Sequence, residues 1–232
     1  MKDFKFDKLE YVRPDLAKFK ETLSDLTNQL SNASSYEEAK KVFLLEDEKM
    51  QELESTFTIA FVRNTLDTTD EFYEAEVAYF NDEMPTVQAS LVSFGETLSV
   101  SPFRNEFEKE YGKQIFTKIE LEKNSFCEVN IPLMQQEAKL TNEYQKIMAT
   151  AKIPFDGKEL NLYGVQKYFE HDNRNVRKAA VKAYSDFYHS NETRLEEIWD
   201  ELIKIRNEMG KNLGFDNYIP LGYMLQGRTD YG

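Results

Sequence analysis

His171 and His189 are the only histidines in the chain, so they decide which metal chemistry the sequence could carry. A hydrolytic zinc site of the H-E-x-x-H kind needs two imidazoles one helical turn apart, with a glutamate beside the first as general base. Here the two lie 18 residues apart, with Asp172 after His171 and Ser190 after His189, so neither opens that motif. Glu170 or Asp172 could share a metal with His171. Adjacent side chains on a helix diverge, however, and a histidine beside a carboxylate near a helix C-terminus has a simpler electrostatic reading.

The remaining reactive side chains select no site either. Glu37-Glu38, Asp82-Glu83 and Glu196-Glu197 stand side by side, but among 42 acidic residues adjacency carries little meaning. A working acid and base pair needs a desolvation that neighbours in sequence do not guarantee. Arg174, Arg177, Lys178 and Lys182 recur at steps of three, one and four. That stripe could hold a peptide carboxylate, and it suits a solvated helical face paired with nearby acids. Cys127 is the single cysteine, so it makes no internal disulfide. It fits a reducing compartment and has no neighbouring histidine to make it a nucleophile. The sequence contains no glycine-rich phosphate loop, no G-x-S-x-G elbow and no cysteine pair for a metal cluster. The residues themselves assign no catalytic, cofactor-binding or metal-binding position.

The elements that would position any site are helical. Leu16, Phe19, Leu23, Leu26 and Leu30 recur at steps of three and four after Pro14, which predicts an amphipathic helix with proline at its start. Ser35 and Glu38 have the spacing of a capping box and open a second helix that runs unbroken toward Leu66. Asp70 and Glu71 open a third, with Phe72, Ala75, Val77, Phe80, Val87, Leu91, Phe94 and Leu98 along it and Pro85 expected to kink or restart it. Shorter helices follow from Ser101-Pro102 to Gly112, from Gln114 to about Lys123, and from Pro132 to Ala149. Further helices are expected over Leu162–His171, Arg174–His189 and Glu192–Leu213, the last capped by Gly214. Between Ile153 and Leu160, Asp156-Gly157 separates two short alternating runs, the signature of a hairpin with a type I′ turn. The fold class is all-α, long antiparallel helices with one small hairpin near residues 153–160. A division into a long-helix bundle over 1–130 and a hairpin-plus-helix part over 131–232 is expected.

Composition bounds the function. A formal charge of −13, with acidic and basic residues interspersed, argues against affinity drawn from neutralising phosphates, so no nucleic-acid partner is expected. No run approaches the roughly 20 apolar residues that span a bilayer, and Met1 to Val12 is too polar for a secretion signal. No membrane partner and a cytoplasmic location are the expectation.

Five segments carry a family resemblance: Thr69-Asp-Glu-Phe-Tyr73, Ser101-Pro-Phe-Arg104, Ala149-Thr-Ala-Lys-Ile-Pro-Phe-Asp-Gly157, Asn173-Arg-Asn-Val-Arg-Lys178, and Leu221-Gly-Tyr-Met-Leu-Gln-Gly-Arg-Thr-Asp-Tyr231. In this order the chain resembles the first part of an oligoendopeptidase F-type zinc metallopeptidase of the thimet oligopeptidase group. In that family the H-E-x-x-H helix and a third glutamate ligand come well downstream of a segment similar to Leu221–Tyr231. The resemblance therefore implies zinc in the full-length parent and none bound by this chain, no site residue carried onto it, and no activity alone. It further implies a helical wall of a channel that admits short peptides, with oligopeptide substrates and a C-terminal catalytic half as partners. The alternative is a free-standing helical interaction protein without catalysis. Gly210 and Leu225-Gln226 are small departures that touch packing. With the catalytic half absent, Ile219, Leu221, Tyr223, Met224 and Leu225 are expected to form an exposed apolar surface, which Trp199 could sense.

Overall fold

A computed structural model describes residues 5–229; Met1–Phe4 and the Asp230-Tyr231-Gly232 end of the last quoted segment lie outside the described residues. Nine α-helices and one two-stranded sheet make up the described chain: α1 (Leu16–Ser31), α2 (Tyr36–Leu66), α3 (Glu71–Ser99), α4 (Arg104–Tyr111), α5 (Gln114–Ser125), α6 (Ile131–Ala149), β1 (Ile153–Phe155), β2 (Lys158–Leu160), α7 (Leu162–Gln166), α8 (Arg174–Asn212) and α9 (Ile219–Leu225). The chain forms two compact units, one of described residues up to Gln135 together with those from Arg206 onward, the other of Gln136–Ile205.

In the first unit, the three long N-terminal helices start where side chains replace missing backbone partners. Asp15 accepts the Lys18 N–H at the head of α1, and Asp70 accepts the Phe72 and Tyr73 N–H groups at the head of α3. Ser35 accepts the Glu38 N–H at 3.3 Å, while the Glu38 carboxylate reaches back to the Ser34 N–H and hydroxyl at 2.9 and 2.7 Å. The reciprocal cap is thus shifted one residue from the usual box. Short connections between such long helices make neighbours antiparallel. One core gathers Leu16, Leu23, Leu53, Ala60, Phe80 and Val87, and a second Leu26, Leu30, Ala39, Val42, Phe94, Leu98, Phe107 and Phe116.

Pro85 does not end α3, which continues unbroken to Ser99. The carbonyls around the proline find other donors. Gln135 Nε2 donates to the Asp82 carbonyl at 2.6 Å and Thr86 Oγ1 to the Glu83 carbonyl at 2.7 Å, so side-chain donors reach two carbonyls of the turn before the proline, where a ring without an N–H weakens the backbone ladder.

The C-terminal region corrects one expectation. Residues 219–225 are helical as α9, with Leu221 buried, Tyr223 and Met224 half-buried, and only Ile219 and Leu225 exposed. The chain reaches α9 through a Schellman end to α8, in which Phe215 N–H bonds the Gly210 carbonyl at 3.0 Å and Gly214 N–H bonds Lys211 at 2.9 Å. Gly214 supplies the positive φ of 85° this turn demands.

In the second unit, Asp156 and Gly157 carry φ values of 51° and 70°, the two positive angles of a type I′ turn. Ile153 pairs with Leu160, Pro154 with Glu159, and Phe155 with Lys158. Ile153 packs with Val165 and Ala180, flanked by Phe155, Leu160, Tyr168, Phe169, Tyr184 and Phe187. The expected break between His189 and Glu192 is absent, and α8 is one helix of 39 residues. Ser190 Oγ and Asn191 Nδ2 both donate back to the Phe187 carbonyl at 2.8 Å. Bonded in this way, they decorate the helix rather than cap a new one.

Candidate functional site

Several of the side chains that sequence offered for chemistry have a local structural task. His171 lies in the turn before α8, where its Nδ1 accepts the Asn173 N–H at 3.0 Å. Arg177 donates to the His171 and Asp172 carbonyls at 2.7 and 3.0 Å, tying that turn to the first turn of the helix. His189 is exposed on α8 and faces Glu192 at 3.4 Å. Lys182 pairs with Asp186 one turn away. Glu197 pairs with Arg194 at 3.0 Å, Glu83 stands 4.0 Å from Lys20, and the Glu38 carboxylate accepts from Ser34 just before α2. Cys127 is half-buried in extended backbone before a single 3-10 turn. Among the described residues no group of three or more His, Cys, Asp or Glu could hold a metal ion. The donor set does not fit a hydrolytic zinc, because His171 spends its Nδ1 on a backbone turn and no second imidazole stands a helical turn away.

Two buried or half-buried carboxyls escaped the sequence reading. Glu76 on α3 has a side chain only 3% exposed, and it accepts from Arg13 Nε at 2.9 and 3.1 Å, from Arg13 Nη2, and from the Tyr11 hydroxyl. The Arg13 guanidinium holds the Glu76 carboxyl below the usual range against the opposing pull of burial. Arg13 also lies 4.8 Å from the Tyr79 ring centre, and the Tyr79 hydroxyl donates to the Pro14 carbonyl at 2.9 Å. The extended residues before α1 are thus fastened to α3 by polar contacts. Glu46 on α2 differs: desolvation, with Asp47 and Glu122 adding like charge, pushes its pKa up to about 7. Glu122 on α5 is raised as well, chiefly by desolvation.

A concave surface lies in the second unit. Lys152, Ile153 and Pro154 form one wall of a groove of about 240 Å³, and Ala183, Asp186, Phe187 and Ser190 of α8 form the other. The α8 residues fall at steps of three, one and three, a single helical face. Lys152 reaches Glu159 at 3.6 Å across the hairpin.

The geometry defines an all-helical scaffold with a small hairpin and no metal cluster among its described residues. Residues 6–126 match the model of the peptidase M3 N-terminal domain, so the chain belongs to that peptidase family. No curated protein gave a match. Three solved structures are similar over nearly the whole chain. A protein assigned as oligoendopeptidase F is 33% identical with a TM-score of 0.96, covering 99% of this chain and 40% of its own. PZ peptidase A, solved with an inhibitor, is 35% identical with a TM-score of 0.96, covering 98% and 41%. A protein of Bacillus anthracis, also assigned as oligoendopeptidase F, is 35% identical with a TM-score of 0.95, covering 97% and 42%. The chain therefore spans about two fifths of the solved chains it matches, and its fold is the N-terminal part of the larger oligoendopeptidase fold.

Proposed function

We propose that this chain is the non-catalytic N-terminal part of a zinc-dependent oligoendopeptidase that hydrolyses internal bonds of short peptides, and that its helices form a wall of the substrate channel. The observation that carries this reading is the coverage: 97 to 99% of this chain aligns with 40 to 42% of each solved relative at 33 to 35% identity. Zinc, when bound by the complete enzyme, would activate a water for attack on the peptide carbonyl. The ligands for it belong to the remaining part of that fold, in keeping with the unsuitable donor set of His171 and His189. This chain's own contribution is shape: rigid, capped helices that admit an extended peptide and turn away folded proteins. Oligopeptides and the C-terminal catalytic half are its partners, and the cytoplasm is its location. The reading frame downstream of codon 232 tests this cheaply. An H-E-x-x-H motif with a further glutamate beyond it supports the proposal, and a frame without either contradicts it.

A further inference from the structure

Among the described residues no strand pairs with the outer edge of β1 in the second unit's hairpin. In a two-residue hairpin the closing pair, here Phe155 and Lys158, exchanges both backbone hydrogen bonds. Bonded and non-bonded pairs alternate, so Pro154 opposite Glu159 is a non-bonded position, as its missing N–H requires. By the same alternation the carbonyls of Pro154 and Lys152 and the Lys152 N–H point away from β2. Among the described residues none of these three groups is bonded by another backbone group outside the sheet. Beside them runs the groove toward α8, with an apolar floor of Ile153, Ala183 and Phe187.

We propose that this edge and groove form a docking site for a short extended peptide, which pairs with Lys152 and Pro154 as a third strand and seats one apolar side chain against Phe187. The dimensions agree. From Ala183 to Ser190 the helix advances about 10 Å at 1.5 Å per residue, the length of about three extended residues. The groove volume of about 240 Å³ falls short of the roughly 300 to 1,000 Å³ that suits drug-sized ligands and cofactors. The edge presents two acceptors and one donor, so an occupant that offers successive N–H groups on one side complements it, which a peptide strand does. Pro154 withholds the fourth bond and limits growth of the sheet, so a short peptide is accepted while extended edge-to-edge pairing is opposed. Asp186 and Lys152 stand on opposite walls and leave the rim without a dominant sign.

That the occupant is a peptide rests on the peptidase reading above; the outer edge of β1 and the groove do not. The test uses the 15N-labelled 232-residue chain, titrated with acetyl-Ala-Leu-Ala-amide and with the same peptide N-methylated at its first and third residues. Saturable amide shifts are expected at Lys152 and at Asp186 to Ser190. N-methylation weakens the apparent affinity about fivefold or more, because both bonds to the edge carbonyls are lost. Ser190→Trp, at an exposed position, closes the groove and removes the response, while Val181→Trp, exposed outside the groove lining, leaves it unchanged; circular dichroism checks that both variants fold. Absence of saturable shifts at Lys152, or equal affinity for the methylated peptide, overturns the proposal. So do concentration-dependent shifts of the same amides without peptide, which would assign the edge to a second copy. Because the readout is binding to this chain without turnover, it can fail while the complete enzyme still cleaves peptides, and the converse.

Discussion

Gly210 sets two helix-scale effects against each other. Glycine inside a helix costs about 1 kcal/mol relative to alanine, so propensity alone predicts that Gly210→Ala stabilises the chain. The backbone that returns after α8 predicts the reverse. A Cβ at this position would stand 2.5 Å from the Asn217 carbonyl oxygen, 2.8 Å from its carbon and 3.1 Å from the Tyr218 Cα. These are main-chain atoms, so no flexible side chain can move aside; residues 217–218 themselves must shift. That shift endangers the Tyr218 N–H bond to Asn207 Oδ1 at 3.2 Å, worth about 1 kcal/mol, and part of the burial of Leu221, which is 2% exposed and worth about 2 kcal/mol when complete. Losing the bond and most of that burial costs about 3 kcal/mol; subtracting the propensity gain leaves a net destabilisation of about 2 kcal/mol. Urea unfolding followed by circular dichroism measures it. Lys211→Ala, next in the same helix and exposed, should change stability by less than about 0.5 kcal/mol. A Gly210→Ala chain as stable as the parent, or more so, would refute the close-approach argument.

Three other perturbations follow from the structure. Glu76→Gln removes the charge from a side chain that Arg13 grips through both Nε and Nη2, and should cost about 2 kcal/mol at pH 7. Because Arg13 lowers the Glu76 pKa, its contribution is present above the unfolded carboxyl value and lost as pH falls through the folded one. The difference between parent and variant in urea should therefore shrink on acidification, and a pH-independent difference would contradict the ion pair. Glu46→Gln has the opposite sign: with its folded pKa at about 7, ionisation opposes folding as pH rises from the ordinary carboxyl range toward 7, so the variant should gain stability at pH 8 and none at pH 4. Gly157→Val places a β-branched residue at φ 70° and should lower stability by at least about 1 kcal/mol, read from the denaturation midpoint.

How far the sequence could be read differs from element to element. Helix starts were legible to within a residue or two because their signals are local: Ser35 caps the helix that its spacing from Glu38 predicts and Asp70 caps α3, whereas α1 begins at Leu16 with Asp15 as its cap and Pro14 just before it rather than in its first turn. The hairpin was legible for the same reason, since Asp-Gly satisfies two positive φ angles by itself. What escaped depends on distant partners. α3 continues through Pro85, and one carbonyl in the turn before it takes a bond from Gln135, far along the chain. The burial of Glu76 relies on Arg13, 63 residues upstream; its own position, one turn before Phe80 on the apolar face, was a signal that a carboxylate stood where a core residue belonged. The single-helix nature of α8 was hidden because Ser190 and Asn191 suit a cap and a back-bonded helix interior equally well. The groove beside β1 was not legible, because it joins residues 152–154 to a helical face some thirty positions later.

The central claim, that this chain is the non-catalytic part of a zinc oligoendopeptidase, is tested most directly by turnover of an internally quenched short peptide. The 232-residue chain, supplied with zinc, should leave the peptide intact. The same chain joined to the sequence encoded downstream should cleave it at an internal bond, with activity lost to a chelator and restored by zinc. Zinc-dependent cleavage by the 232-residue chain alone that survives repurification and is abolished by His171→Ala would contradict the account, as would a joined chain that folds, binds zinc and cleaves nothing.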